Sequence, residues 1–157
     1  GYLHYYQKEY EAAVQRFGES IDVNKKYNLN LNASLPFLGL AMACTELEKK
    51  DVALANFHES LECLRLSGSN VEYTCFKYAF CQFLAKNGQL ENALTLFASI
   101  KQDYEKTHYR PWITLRVCLD YAEKILLSAY GPELISEKIN ETEELSREEI
   151  YAMVEWA

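Results

Sequence analysis

The sequence predicts an all-α protein in which antiparallel helix pairs stack into an array, an α-solenoid. Three observations carry this. Ala13-Val14-Gln15-Arg16-Phe17 returns as Ala53-Leu54-Ala55-Asn56-Phe57 and again as Ala93-Leu94-Thr95-Leu96-Phe97, each time after 40 residues. A period of that size marks stacked supersecondary units, because one helix pair cannot bury its apolar face alone. Apolar residues recur at spacings of three and four, and no stretch of period-two alternation is long enough for a strand. Between the periodic stretches lie Gly, Pro and Asn, which punctuate helices.

The elements follow in order. Gly1 to Lys8 is rich in Tyr and reads as the end of a helix. A second helix runs from Glu9 to Asn24, with Tyr10, Ala13, Val14, Phe17 and Ile21 on one stripe. Residues 25–32, with Asn28, Asn30 and Asn32, read as a loop. Ser34 caps a third helix that accepts Pro36 in its first turn and runs to Leu47. Asp51 is the expected cap of a fourth, which runs to Leu66 and stops at Ser67-Gly68-Ser69. Ser69 or Asn70 caps the fifth, and Asn87-Gly88 ends it. The sixth spans Gln89 to Lys106. Pro111 opens the seventh, which Gly131-Pro132 stops after Tyr130. A short helix over Glu133–Leu145 follows. Ser146-Arg147-Glu148-Glu149 then forms a capping box before the apolar run from Ile150 to Trp156.

Composition narrows function by exclusion. With 16 basic against 23 acidic residues the net charge is −7, and no basic run occurs. Phosphate neutralisation by Lys and Arg dominates nucleic-acid binding, so nucleic acid is disfavoured, as is an anionic membrane surface. A basic or largely apolar protein partner suits the charge better. No apolar run approaches the roughly 20 residues of a membrane span. The 5 cysteines form no C-x-x-C pair and read as buried reduced thiols of a reducing compartment, cytoplasmic or nuclear.

His4, His58 and His108 are isolated, and His58-Glu59-Ser60-Leu61-Glu62 lacks the second His of a zinc-protease helix. There is no phosphate-cradling glycine loop and no nucleophile elbow. Glu46, Glu48 and Asp51 are interrupted by Lys49 and Lys50 and read as a solvated turn, and the acidic residues from Glu141 to Glu149 as a solvated face. No metal site, cofactor or catalytic group is expected, and the chain is not read as an enzyme. It starts at Gly1 without Met and ends in an apolar run, so it reads as part of a longer protein.

A small residue stands twelve positions before each repeated Ala: Gly1, Ala41 and Cys81 precede Ala13, Ala53 and Ala93. Small residues let two helices cross closely, and the Phe one turn later fills the gap to the next pair. A small residue, then Gly-x-Tyr/Leu, then Ala, then Phe resembles the tetratricopeptide repeat (TPR). The stretch from Gly88 to Phe97 matches best and that from Glu9 to Phe17 nearly as well, while Lys50 departs where Tyr10 and Leu90 stand. The typical repeat is about 34 residues. The longer form is similar to arrays in some peptide-sensing regulators, motor light chains and subunits of large assemblies.

The resemblance implies a right-handed superhelix. Residues 1–130 would form three to four helix pairs, the first truncated. Residues 131–157 would form degenerate or capping helices, because Glu133 and Glu137 stand where Ala and Phe should return. It also implies that the first helix of each pair lines a concave groove. The groove residues would be Tyr2, Tyr5 and Tyr6; Leu35, Leu38, Met42 and Thr45; Cys75, Tyr78, Gln82 and Lys86; and Arg116, Leu119 and Glu123. Ala13, Phe17, Ala53, Phe57, Ala93 and Phe97 would be repeat core. A clamp for a C-terminal carboxylate is disfavoured, since Leu38, Met42, Tyr78 and Gln82 occupy its stripe. The function implied is a non-catalytic protein–protein interaction module or scaffold within a multi-subunit complex, binding a peptide or partner subunit. The alternative is a peptide-sensing domain that controls an effector domain outside this stretch. The oligomeric state stays open.

Overall fold

Among residues 1–29, 33–109 and 111–157, which the computed structural model describes, every regular element is a helix. The order is α1 (Tyr2–Tyr6), α2 (Tyr10–Lys26), α3 (Ser34–Glu46), α4 (Lys50–Ser67), α5 (Asn70–Lys86), α6 (Leu90–Thr107), α7 (Ile113–Glu141) and α8 (Arg147–Glu155). The part of the expected Asn-rich loop at 30–32 lies outside the described residues.

The 40-residue period is present in the backbone as well as in the side chains. Lys8, Glu48 and Gly88 all take positive φ, at 63°, 57° and 76°. Asn28, Gly68 and His108 do the same between them, at 55°, 68° and 53°. Each residue of the first set ends a helix and swings the chain into the next. The following N–H then reaches back to a carbonyl: Glu9 to His4 at 2.9 Å, Lys49 to Cys44 at 2.9 Å, Gln89 to Leu84 at 3.0 Å. Glycine adopts this conformation freely, whereas a side chain there costs roughly 1–2 kcal/mol. At Lys8 and Glu48 the turn therefore runs against local preference, and the returning N–H bonds of Glu9 and Lys49 are contacts that offset the cost.

The structure corrects two capping expectations. Ser34 does not cap α3: it is the first helical residue, Ala33 holds the capping position, and the Ser34 hydroxyl is turned to Glu72. Asp51 does not cap α4; Lys49 holds the capping position, with no side-chain hydrogen bond. Asp51 instead sits in the first turn, where a carboxylate meets the positive end of the helix dipole. Other boundaries move slightly. α2 continues to Lys26, and α7 opens at Ile113 rather than Pro111 because Trp112 stays extended.

The repeated residues are core. Ala13, Ala53, Ala93, Phe57 and Phe97 are wholly buried and Phe17 nearly so. The ring of Phe17 lies where a side chain on Gly1 or Gly39 would have to go, so only glycine admits it. The Cys81 thiol donates to the Ala93 carbonyl at 3.5 Å, which puts the small residue and the repeated Ala at one helix crossing. Each buried Phe removes enough apolar area to contribute about 1.5–3 kcal/mol.

Two compact units divide the chain, Gly1–Phe76 and Lys77–Ala157, with the boundary inside α5. In the first, α2 packs on α1 and α3, and α3 packs on α4. Phe57 and Phe76 meet edge to face, with centroids 5.6 Å apart. Ser60 donates to the Ser34 carbonyl at 2.9 Å, and the Ser34 hydroxyl donates to Glu72.

In the second unit α6 packs on α7, and Lys77 on α5 pairs with Asp103 on α6 at 2.7 Å, both side chains nearly excluded from solvent. The α7 span is broken at Gly131 (φ 78°, ψ 164°), a conformation essentially restricted to glycine, and Pro132 opens its second stretch. That stretch ends at Glu141 rather than Leu145. The Gln102 amide donates to the Ile139 carbonyl at 2.7 Å. α8 opens on the expected capping box of Ser146 and Glu149, and its Ile150 and Val154 are wholly buried. Its two ends are tied beside α6. The Leu145 N–H donates to Ser99 at 2.9 Å, and the Gln89 amide donates to the Ala157 carbonyl at 2.7 Å.

Candidate functional site

The residues expected to line a groove fall into two groups. In α1, Tyr6 is exposed. Tyr5 is buried with its hydroxyl 3.4 Å from Glu46, and Tyr2 donates to the Leu35 carbonyl at 2.9 Å while its ring meets Phe17. In α3, Leu38, Met42 and Thr45 are buried, and the Thr45 hydroxyl is spent on the Ala41 carbonyl at 2.8 Å. In α5, Cys75, Tyr78 and Gln82 are buried. Met42, Thr45 and Gln82 are thus packing residues rather than exposed binding positions. The physical reason is that α3 from Phe37 to Thr45 and α5 from Cys75 to Ala85 are predominantly apolar stretches, and a helix stretch apolar nearly all round is buried.

The second unit keeps the remaining positions near its surface. Lys86 is half-buried, its ammonium 5.0 Å from the centre of the Tyr121 ring. Glu123 pairs with Lys101 at 3.4 Å. Arg116 is exposed, and Leu119 is buried beneath it.

An open, partly apolar surface of this unit is on α7, and it has two ridges. Ile113, Val117 and Tyr121 recur at every fourth position and are 52%, 47% and 42% exposed. Beside them, also at every fourth position, stand Arg116, Asp120 and Lys124, all exposed. Residues four apart lie one above another on a helix, so these are adjacent parallel rows, one apolar and one of alternating charge. None of the three charged side chains has an ion-pair partner among the described residues.

Hollows lie at both ends of this face. One, of about 490 Å³, is floored by Tyr78, Ile100, Tyr104 and Leu119 and rimmed by Lys101, Ile113, Arg116, Val117 and Asp120. The other, of about 470 Å³, is lined by Tyr121, Lys124, Ile125, Ser128 and Ala129. From Ile113 to Ala129 the face is about 24 Å long at 1.5 Å per residue. Apolar floors with a few charged groups at the rim are the ordinary make-up of a recognition surface.

The sequence reading names Arg116, Leu119 and Glu123 on this helix, of which Arg116 and Leu119 line the first hollow, and does not name Ile113, Val117, Asp120, Tyr121 and Lys124. The two rows at spacing four were the signal that could have found them. No other chemistry converges: among the described residues no three metal-ligating side chains come together. No helix there is long and apolar enough to cross a membrane. All five cysteines are buried and outside any disulfide, and burial pushes the Cys81 thiol far above its ordinary range. No protein-family model, curated protein or solved structure matches the chain.

Proposed function

We propose that this chain is a non-catalytic protein–protein interaction module of the tetratricopeptide type, its helix pairs stacked as a right-handed α-solenoid. The observation that carries the reading is the return of the same backbone turn at Lys8, Glu48 and Gly88, each followed by the repeated Ala and Phe in the core. Stacked helical repeats offer extended surfaces on which partners dock. The open face of α7 supports this function. In this reading the binding surface is the exposed side of α7 with Lys86 and Tyr121 at its margin, because Met42, Thr45 and Gln82 on α3 and α5 are buried.

The test is affinity capture with the full-length protein from its native cell, followed by mass spectrometry. A partner enriched over an unrelated bait, and competed away by the isolated chain, is the expected result. If nothing is enriched in repeated captures, with or without cross-linking, the interaction reading is wrong.

A further inference from the structure

The rows on α7 define what would fit there. We infer that the face from Ile113 to Ala129 receives an amphipathic helix of a partner protein, whose flanking charges read acidic, basic, acidic along its length. This rests on the interaction-module reading and names the partner's chemistry.

Shape gives the first argument. The groove between two rows of i±4 spacing is the surface into which the i±4 ridge of another helix packs, the commonest helix–helix geometry in globular proteins. Ile113, Val117 and Tyr121 would meet apolar residues spaced the same way on the incoming helix, as in other helix-in-groove complexes. The face is long enough for about four helical turns.

Charge gives the second argument, and it selects the occupant. Arg116, Asp120 and Lys124 alternate positive, negative, positive, and none is neutralised by an ion pair among the described residues. Successive members lie about 6 Å apart along the helix. A partner row of acidic, basic and acidic residues at the same spacing would pair all three. That order is its own reverse, so the match holds whether the incoming helix runs parallel or antiparallel to α7. Charges flanking an apolar seam set partner choice more than raw affinity, as at the edge positions of coiled coils. A second copy of α7 in the same register would set like charges opposite each other, which disfavours self-association through this face.

Two helix-stabilised peptides of about 18 residues, the length the face accepts, test this. Both carry Leu at every fourth position. One flanks it with Glu, Lys, Glu and the other with Lys, Glu, Lys, with opposite-face residues chosen to equalise net charge. Fluorescence anisotropy at physiological salt should show the first binding roughly tenfold more tightly, the sum of three rim pairs gained or reversed. The triple change Arg116→Glu, Asp120→Lys and Lys124→Glu should invert the preference. Val117→Asp should abolish binding of both peptides while leaving the circular dichroism melt in place, since Val117 is half exposed.

Equal affinity for the two peptides overturns the charge assignment. Failure of both to bind, or binding unaffected by Val117→Asp, overturns the docking site. Dimerisation in sedimentation that Val117→Asp abolishes makes a second copy the occupant and overturns it as well. If native-cell capture yields a partner that Val117→Asp retains fully, the module reading stands and the α7 inference alone fails.

Discussion

Helices α5 and α7 each follow a positive-φ turn, at Gly68 and His108, yet they meet solvent in opposite ways. From Cys75 to Ala85 every residue of α5 is buried, including Lys77 and Gln82. α7 leaves one side open from Ile113 onward. The difference lies in how charge is placed. Between Cys75 and Ala85 the sole charged residue is Lys77, and it is matched by Asp103 at 2.7 Å. On α7 Arg116, Asp120 and Lys124 recur at every fourth position and have no ion-pair partner among the described residues, while Glu123 beside them pairs with Lys101. A buried helix tolerates a charge only when it is paired. A charge row left without partners marks the side that remains in water or meets another molecule.

Core packing should expose the contrast most strongly. Phe83→Ala removes a wholly buried ring beside Phe80, 5.8 Å away, and should cost roughly 3–5 kcal/mol in urea unfolding. Val117→Ala should stay within about 0.5 kcal/mol. Comparable losses at both sites would mean that the α7 face is covered in solution.

Charge removal is the next test. Asp103→Ala takes away the carboxylate facing the buried Lys77 ammonium and should cost about 3 kcal/mol. Asp120→Ala should leave the unfolding midpoint nearly unchanged, because its carboxylate is exposed. Replacing Lys77 and Asp103 together by Met and Leu should recover most of the loss, since apolar packing often substitutes for a buried pair.

The smallest effect belongs to α8, whose start depends on a cap rather than on a core. Ser146→Ala should cost about 1 kcal/mol, read as a lower melting temperature. The backbone N–H of Ser146 first, and its hydroxyl second, hold the Glu149 carboxyl below its ordinary value of 4.5. A carboxyl with a depressed folded pKa stabilises above its ordinary value and loses that contribution as pH falls through the folded one. The gap in melting temperature between the native chain and Glu149→Gln should therefore be full at neutral pH and close as the solution is taken below 4.5. A gap that persists in acid would show that the box acts through packing alone.

Much of the fold was legible because the signals were local. The 40-residue return, the Gly68, Gly88 and Gly131 stops and the Ser146–Glu149 box all act within a few residues of themselves. Asp51 was misread because the turn geometry at Glu48 and Lys49, not the best capping side chain, decides where α4 begins. The site was less legible. Its positions came from a resemblance that assigns exposure by helix order, whereas exposure follows composition. From Ser34 to Thr45 there is no charged residue at all, which marks a helix closed on every side. The same test applied to α6 would have flagged Leu96 and Ala98. They replace Arg16 and Gly18 of α2, and Asn56 and His58 of α4, and both are wholly buried. That second apolar side is on the helix beside which both ends of α8 are tied.

Six of the seven positive-φ positions among the described residues, 8, 28, 48, 68, 88 and 108, recur every 20 residues. A cut after one such residue and a join before the equivalent one bring together backbones already of matching conformation. Excising residues 49–88 would set Glu48 directly before Gln89, whose φ and ψ of −82° and 60° nearly equal the −88° and 68° of Lys49. The register of Lys8, Glu48 and Gly88 would put the next turn at 128, but the chain turns at Gly131, in a different conformation. Modular exchange should therefore be tolerated up to His108 and resisted beyond it.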